Sequence, residues 1–254
     1  MSTATTQPPV PHAPTADTQK SSLVRLAEAA ARTAGGDGGA VAVVRGFDRN
    51  SRQRASLLRG HLTALQVQVI DATPALTRSE SAIDRLPRLS AVINAAGAAS
   101  DDAHRLAARL RVPLLTLADG ETASEENSGQ EVAERRRDVI EINAPDRARD
   151  VAFVDIAAEP VDEQAGELTV TVDGESGGTL TGSSVLVTLV RNQLGVRVSA
   201  PGRAPESLFG QRVVLQATSG AYTLIRDGLP IGELGGPLTL TVEPQDLAVH
   251  FVQR

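Results

Sequence analysis

The first half of the chain alternates short apolar runs with amphipathic stretches. Residues 40–44 form a continuous apolar run bounded by glycines, which is typical of a strand covered on both faces. Leucines recur at helical spacing between 51 and 65, and the next apolar residues, 67–70, predict a second strand. Strand, helix and strand therefore follow one another as a βαβ unit.

The same alternation continues to about residue 117. A strand is predicted at 91–94, a helix capped by Ser100 follows it, and another strand is predicted at 114–117. Strands that alternate with helices predict an open parallel sheet. Upstream, a short helix is expected to begin at Ser21 or Ser22 and to stop at the glycine run 35–39.

Beyond residue 126 the pattern changes to strand-length segments separated by glycine turns, with no helix of ordinary length among them. The predicted strands are 139–142, 152–156, 168–172, 185–190, 196–199, 213–216, 222–225, 238–242 and 247–252. The fold class predicted is thus an α/β N-terminal half with an open parallel sheet, followed by an all-β, sandwich-like C-terminal half. The predicted boundaries are a disordered tail at 1–21, an α/β domain at 22–125 and a β-rich domain at 126–254.

Composition excludes several chemistries. The chain has no cysteine, and its one lysine, Lys20, lies in the tail, so thiolate metal sites and P-loop or Schiff-base lysines are absent. The histidines are too scattered to predict a metal site. A net charge of −6 with few aromatic residues argues against nucleic acid as a partner. The first twenty residues resemble neither a signal peptide nor an anchor, so a cytoplasmic location is expected.

Several motifs in the second half follow one another in an order that a known protein family shares. They are Val187–Asn192, Ala200-Pro201, Asp227-Gly228-Leu229-Pro230, Pro237–Pro244 and Leu247–Phe251. With the α/β half before them, they resemble the diacylglycerol kinase and sphingosine kinase family of lipid kinases, over roughly residues 40 to 254. The resemblance implies a bacterial type of lipid kinase that uses ATP and Mg²⁺ to phosphorylate a lipid hydroxyl, with the nucleotide in a cleft between the halves.

The resemblance also assigns candidate site residues. Asn94 and Gly97 stand where that family has a glycine-rich phosphate loop, and Asp119 and Gly120 stand near its second loop. Asp227 stands in the family's Asp-Gly-Glu turn and is the candidate catalytic acid or base. All three places depart from the family pattern, because glycines and one carboxylate are missing. Since phosphoryl transfer depends on positioning and charge stabilisation, these departures predict a weak or inactive enzyme.

Two alternatives to a lipid kinase remain open at this point. One is a non-catalytic module of the same fold, which binds a protein partner through the tail or the β half for assembly or regulation. The other is a structural or interaction protein whose β half only imitates the family. A lipid or membrane surface and a second copy of the chain are further expected partners, and neither alternative requires a cofactor.

Overall fold

A computed structural model describes residues 16–97, 101–117, 132–145, 149–162, 166–181, 183–200, 202 and 204–252. The helices are α1 (Ala16–Asp37), α2 (Arg49–Ala64), α3 (Pro74–Thr77), α4 (Glu80–Ile83) and α5 (Asp101–Leu110). The first strands are β1 (Ala40–Val44), β2 (Val69–Ala72), β3 (Leu89–Asn94), β4 (Leu114–Leu117), β5 (Val132–Asn143), β6 (Asp150–Ala152), β7 (Asp155–Pro160) and β8 (Glu167–Val172). The others are β9 (Glu175–Thr181), β10 (Ser184–Val190), β11 (Gln193–Ser199), β12 (Glu206–Gly210), β13 (Arg212–Ser219), β14 (Tyr222–Arg226), β15 (Leu229–Glu233) and β16 (Leu238–Val252).

The first four strands form a parallel sheet in the order β2-β1-β3-β4. All five residues of β1 are buried, which explains its unbroken apolar sequence. Val41 and Val43 point towards α1 and α2 on one face, whereas Ala42 and Val44 point towards the core that contains α5. Since the chain passes from β2 back across β1 to β3, the switch in strand order lies between β1 and β3.

The second half is a sandwich of two sheets. One is six-stranded, in the order β12-β11-β10-β7-β14-β15, and all its pairs are antiparallel. It packs on β8, β13 and the start of β16 through a shared core that includes Ile156, Val187, Leu215, Leu224 and Leu240. The residues described between 132 and 252 form strands and turns only, and no helix. The predicted fold class is therefore confirmed.

The last strand joins the two halves into one ten-stranded sheet. The end of β16 runs parallel to β4, with Val249 beside Leu114, while its start runs antiparallel to β13. On its other side β5 pairs along almost its whole length. The halves therefore share a continuous backbone hydrogen-bond network.

Some elements differ from their predicted bounds. Helix α1 begins at Ala16, inside the segment predicted to be a tail, and continues through Gly35 and Gly36. It ends where Gly38 adopts a φ of +64° and donates its N–H to Ala34 O at 2.9 Å, so the third glycine of the run, not the first, terminates the helix.

Strand bounds in the β half differ as well. The strand predicted at 152–156 is split between β6 and β7 at Phe153 and Val154, and the two predicted at 238–242 and 247–252 are the single strand β16. Strands β9, β12 and β15 were not predicted, because glycine-rich or mixed polar sequences give them no alternating pattern.

Candidate functional site

The loop after β3 is closed by the side chain of Asn94. Its Oδ1 accepts the N–H groups of Ala96 and Gly97 at 3.1 and 3.2 Å, and its Nδ2 donates to Gly97 O at 3.0 Å. The N–H of Ala95 donates to Val44 O at 2.8 Å. Asn94 itself is buried. Every backbone N–H from 95 to 97 thus has an acceptor within the chain.

An arginine crosses the switch point and holds the same loop from the other side. Arg54, on α2, donates from Nε to Ala95 O at 2.9 Å and from Nη2 to Ala96 O at 3.1 Å. Gly97 has a φ of +102°, and a Cβ there would lie 3.5 Å from Arg54 Nη2. The crevice where open α/β sheets usually bind ligands is therefore bridged by this guanidinium.

The loop after β1 is also internally bonded. Asp48 caps α2 by accepting the N–H of Ser51 at 2.8 Å, and the Ser51 hydroxyl donates to Asp48 O at 3.1 Å. Hydrogen bonds from the side chain and backbone of Ser51 hold the pKa of Asp48 below its ordinary value. This helix N-terminus is thus already occupied by a carboxylate.

Asp227 lies where the two halves meet, and its side chain is only 4% exposed. Its Oδ1 accepts the N–H groups of Phe153, Val154 and Asp155 at 3.0, 2.9 and 3.3 Å. Its Oδ2 contacts Arg105 Nη2, on α5, at 3.4 Å. The carboxylate therefore ties the turn after β14 both to the β6–β7 bend and to the α/β half.

The exposed turn after β8 contains the same arrangement, in which an aspartate carboxylate accepts backbone N–H groups from a distant part of the chain. Asp173 precedes Gly174 as Asp227 precedes Gly228, and the φ angles of the two aspartates are +51° and +47°. Asp173 Oδ1 accepts the N–H groups of Gln211 and Arg212 at 2.9 and 2.8 Å. Capture of distant amides by the aspartate of an Asp-Gly turn is thus a recurring structural feature of this β half.

A second carboxyl group lies beside Asp227. Burial, with the charge of Asp227 as the second cause, raises the pKa of Asp155 above its ordinary value. The main chains of these two residues are also bonded, because Asp227 N–H donates to Asp155 O at 3.0 Å. Asp155 is the ionisable neighbour of Asp227 that the sequence did not single out.

An arginine-rich cavity of about 140 Å³ opens nearby, between α3, α4 and α5 on one side and the β half on the other. Its charged lining residues are Arg78, Arg105, Arg109, Asp150 and Arg226. Arg226 and Asp150 form a buried ion pair. Arg105 and Arg109 are four residues apart in a predicted helix, a spacing that places them on one face and could have indicated the cavity.

The structure does not bring all the predicted site residues together. Asn94 and Gly97 lie in the loop at the carboxyl end of β3, whereas Asp227 contacts the middle of α5. Asp119 and Gly120 lie outside the described residues. Sequence reasoning missed Arg54 and the four arginines of the cavity, which come from separate segments of the chain.

The described part of the loop after β3, residues 95–97, has no open backbone N–H group to offer a phosphate. The amides of 95–97 are already bonded. Across the described ranges, no group of three or more His, Cys, Asp or Glu side chains is placed to hold a metal ion.

No helix within those same ranges is long and apolar enough to cross a bilayer.

Comparison with known proteins gives a likeness of fold. No family model and no curated protein matches the chain. The crystal structure of yeast NADH kinase in complex with NADH aligns with a TM-score of 0.51 and 13% identity, covering 85% of this chain and 84% of that one. An NAD kinase from Archaeoglobus fulgidus, in complex with ATP, aligns with a TM-score of 0.46 and 13% identity, covering 84% of this chain and 93% of that one.

The alignment with yeast NADH kinase shows the fold of this chain. The chain has the two-part fold of NAD(H) kinases, which lipid kinases of the diacylglycerol kinase type share. The resemblance noted in the sequence is therefore supported at the level of the fold, while identities of 13% assign no substrate.

Proposed function

We propose that this chain is a kinase-fold protein of the lipid-kinase type that transfers phosphoryl groups weakly or not at all, and that it acts as a regulatory or assembly protein. One observation carries the proposal: each N–H group from Ala95 to Gly97 already has an acceptor within the chain. The β half and the N-terminal tail are the surfaces we assign to a protein or lipid partner.

Closed amides matter because loops of this kind hold phosphates by their backbone N–H groups. A phosphate could bind the N–H groups of Ala96 and Gly97 only after Asn94 released them. Breaking each such hydrogen bond costs about 0.5–1.5 kcal/mol. Binding in this loop would therefore begin with a penalty that an open phosphate loop does not have.

The contacts of Asp227 support the same proposal. A general base needs a carboxylate within hydrogen-bonding reach of the substrate hydroxyl. Here three backbone N–H groups and one guanidinium already contact that carboxylate. Because Asp173 makes comparable contacts in an exposed turn, this arrangement is explained by turn stability without catalysis.

The rival is an active lipid kinase that uses ATP and Mg²⁺. It is favoured by the shared fold and by the position of Asp227 at the junction of the halves. In that case Asp227 would exchange one of its present donors for the lipid hydroxyl. Asp227→Asn would then abolish the reaction, since an amide cannot take the proton.

The test measures ATP consumption by the full-length chain with Mg²⁺ and mixed micelles of diacylglycerol or another lipid alcohol, beside an active diacylglycerol kinase. We expect no lipid-dependent ATP consumption above that of the Asp227→Asn variant. We also expect ATP with Mg²⁺ to raise the melting temperature no more than ATP alone. Lipid-dependent turnover lost in Asp227→Asn would overturn the proposal and establish the kinase.

A further inference from the structure

The cavity between α5 and the β half is lined by more positive than negative side chains. Four guanidinium groups and one carboxylate face it, and its remaining walls are largely apolar. The apolar lining includes Leu106, Ile142 and Ile231. A small cavity with convergent polar groups and apolar walls has the usual composition of a ligand site.

Arg105 is the most deeply buried of these cations. The residue is 5% exposed, and its Nε is buried with no hydrogen-bond partner among the described residues. Its Nη1 and Nη2 contact Asp102 and Asp227 at 3.3 and 3.4 Å. Charge-assisted hydrogen bonds are ordinarily about 2.7–2.9 Å long, so this guanidinium retains donor capacity. A buried donor without a partner is uncommon in folded proteins, and this one belongs to a side chain that lines the cavity.

Arg78 and Arg109 flank it with similarly loose contacts. Arg78 Nη2 lies 3.6 Å from Asp102 Oδ2, and Arg109 Nη2 lies 3.4 Å from Asp84 Oδ1. Asp84 is 59% exposed, whereas the side chain of Arg109 is only 8% exposed. Because Asp84 is exposed to solvent, its ion pair with Arg109 is weak and an incoming dianion would displace it at little cost.

The carboxylate in the lining does not oppose an anion. Asp150 Oδ2 is held by Arg226 Nη1 in an ion pair, and Asp150 Oδ1 accepts the N–H of Val151 at 2.9 Å. Both of its oxygens are therefore engaged. The carboxylates that pair with Arg105 and Arg109, which are those of Asp102, Asp227 and Asp84, are not among the cavity's lining residues.

We propose that this cavity binds the phosphate group of a small phosphate monoester, either free in solution or carried on a lipid headgroup. The planar fork of a guanidinium matches phosphate oxygens in pairs, which a lysine cannot do. Arg78, Arg105 and Arg109 supply the forks, and the apolar wall accepts the carbon chain of the ester. The site is separate from the loop at Asn94, so it does not depend on the proposed lack of catalysis.

The test is calorimetric titration of the full chain, without Mg²⁺, with inorganic phosphate and with glycerol 3-phosphate at constant ionic strength. Vesicles of phosphatidylcholine with and without phosphatidic acid form a separate arm. Arg109→Gln should weaken phosphate binding roughly ten- to hundredfold, because it removes one charge-assisted hydrogen bond. Arg78→Gln, at the more exposed rim, should weaken it severalfold and serves if Arg109→Gln does not fold.

Arg85→Gln is the matched control, since Arg85 is exposed, lies beside Asp84 and does not line the cavity. It should bind phosphate like the unaltered chain. Binding of the soluble esters alone identifies a free phosphate monoester, and binding of phosphatidic acid vesicles identifies a lipid headgroup; either result upholds the site. No heat of binding for any probe, or equal loss in all three variants, overturns it. Because the cavity is separate from the loop at Asn94, kinase turnover would overturn the proposed function without changing the outcome of this test.

Discussion

The loop after β3 and the junction around Asp227 differ in how completely their polar groups are hydrogen-bonded. In the loop, neutral hydrogen bonds of 2.8–3.2 Å close every amide from 95 to 97. At the junction, the ion pairs of Arg78, Arg105 and Arg109 are 3.3–3.6 Å long, and the buried Nε of Arg105 has no partner among the described residues. The described amides of the loop are thus all bonded within the chain, whereas the junction retains guanidinium donors with long or no contacts among the described residues.

This difference shows that a shared fold does not fix where ligand chemistry resides. The carboxyl edge of the parallel sheet is the usual ligand position in such folds. In this chain Asn94 and Arg54 occupy it with their own side chains. A separate cluster of four guanidinium groups lies between α5 and the β half.

The largest expected effect comes from removing the junction's carboxylate. Asp227→Ala should lower the free energy of unfolding by about 3–5 kcal/mol, because it leaves Arg105 buried with one partner fewer. It also leaves three amides without their acceptor. Urea unfolding followed by circular dichroism measures the change.

Asp173→Ala is the matched control for that experiment. The two turns have nearly the same φ, +51° and +47°, so the strain of placing alanine there cancels. Because the amides released at Asp173 can be hydrated, we expect a loss of about 1–2 kcal/mol. Equal losses in the two variants would contradict the distinction between a buried junction and an ordinary turn.

A smaller effect is expected from opening the loop. Asn94→Ala should destabilise the protein by about 1–3 kcal/mol, since it removes the acceptor of two amides beside a buried strand end. Amide hydrogen exchange at Ala96 and Gly97 should accelerate, which urea unfolding alone would not reveal.

Asn143→Ala provides the comparison for the loop, because Asn143 is exposed at the end of β5. It should change stability by no more than about 0.5 kcal/mol. If exchange at Ala96 and Gly97 stayed slow in Asn94→Ala, the loop would be closed by something other than this side chain.

The sequence predicted most of the longer elements because their signals are local. A glycine-bounded apolar run predicted β1, and the apolar run after Pro113 predicted β4, both with their observed bounds. Asn94 and Asp227 were identified because they stand at the places of two motifs of the lipid kinase family that the sequence resembles.

Long-range partners could not be predicted in the same way. Asp227 captures amides 72 to 74 residues away, and Arg54 reaches carbonyls 41 and 42 residues away. Similarly, β16 is one strand and not two, because a bulge with Gln245 at a φ of +55° is stabilised by Asp138 on β5. Such contacts depend on tertiary packing, which no periodicity records.

The smallest expected effect concerns two neighbouring carboxyl groups, Glu141 and Glu243, of which Glu141 is linked to the end of α5 through Arg149. Arg149 donates to Glu141 at 2.6 Å and to the carbonyl of Ala108 near the end of α5. Burial raises the pKa of Glu141, but hydrogen bonds from Arg149 and Glu243 outweigh it, so the net pKa is lowered. The hydrogen bond with Glu141, followed by burial, raises the pKa of Glu243.

The sign of the pH effect follows from these directions. A raised pKa means that protonated Glu243 stabilises the fold below its ordinary value of 4.5, and that this contribution is lost as pH rises through the raised pKa. Glu243→Gln keeps a hydrogen-bond donor at every pH. We therefore expect the variant to be more stable than the unaltered chain near pH 7, by less than about 1 kcal/mol.

Melting temperatures measured from pH 4 to 8 test this, with Glu206→Gln on the exposed edge strand β12 as control. The difference between Glu243→Gln and the unaltered chain should grow with pH, while the control should show a constant difference. The opposite trend would mean that Glu243 is charged and favourably paired in the fold. In that case an ion pair of Glu243 would support α5, as ion pairs support the arginine cavity. A proton shared between Glu141 and Glu243 would not be needed.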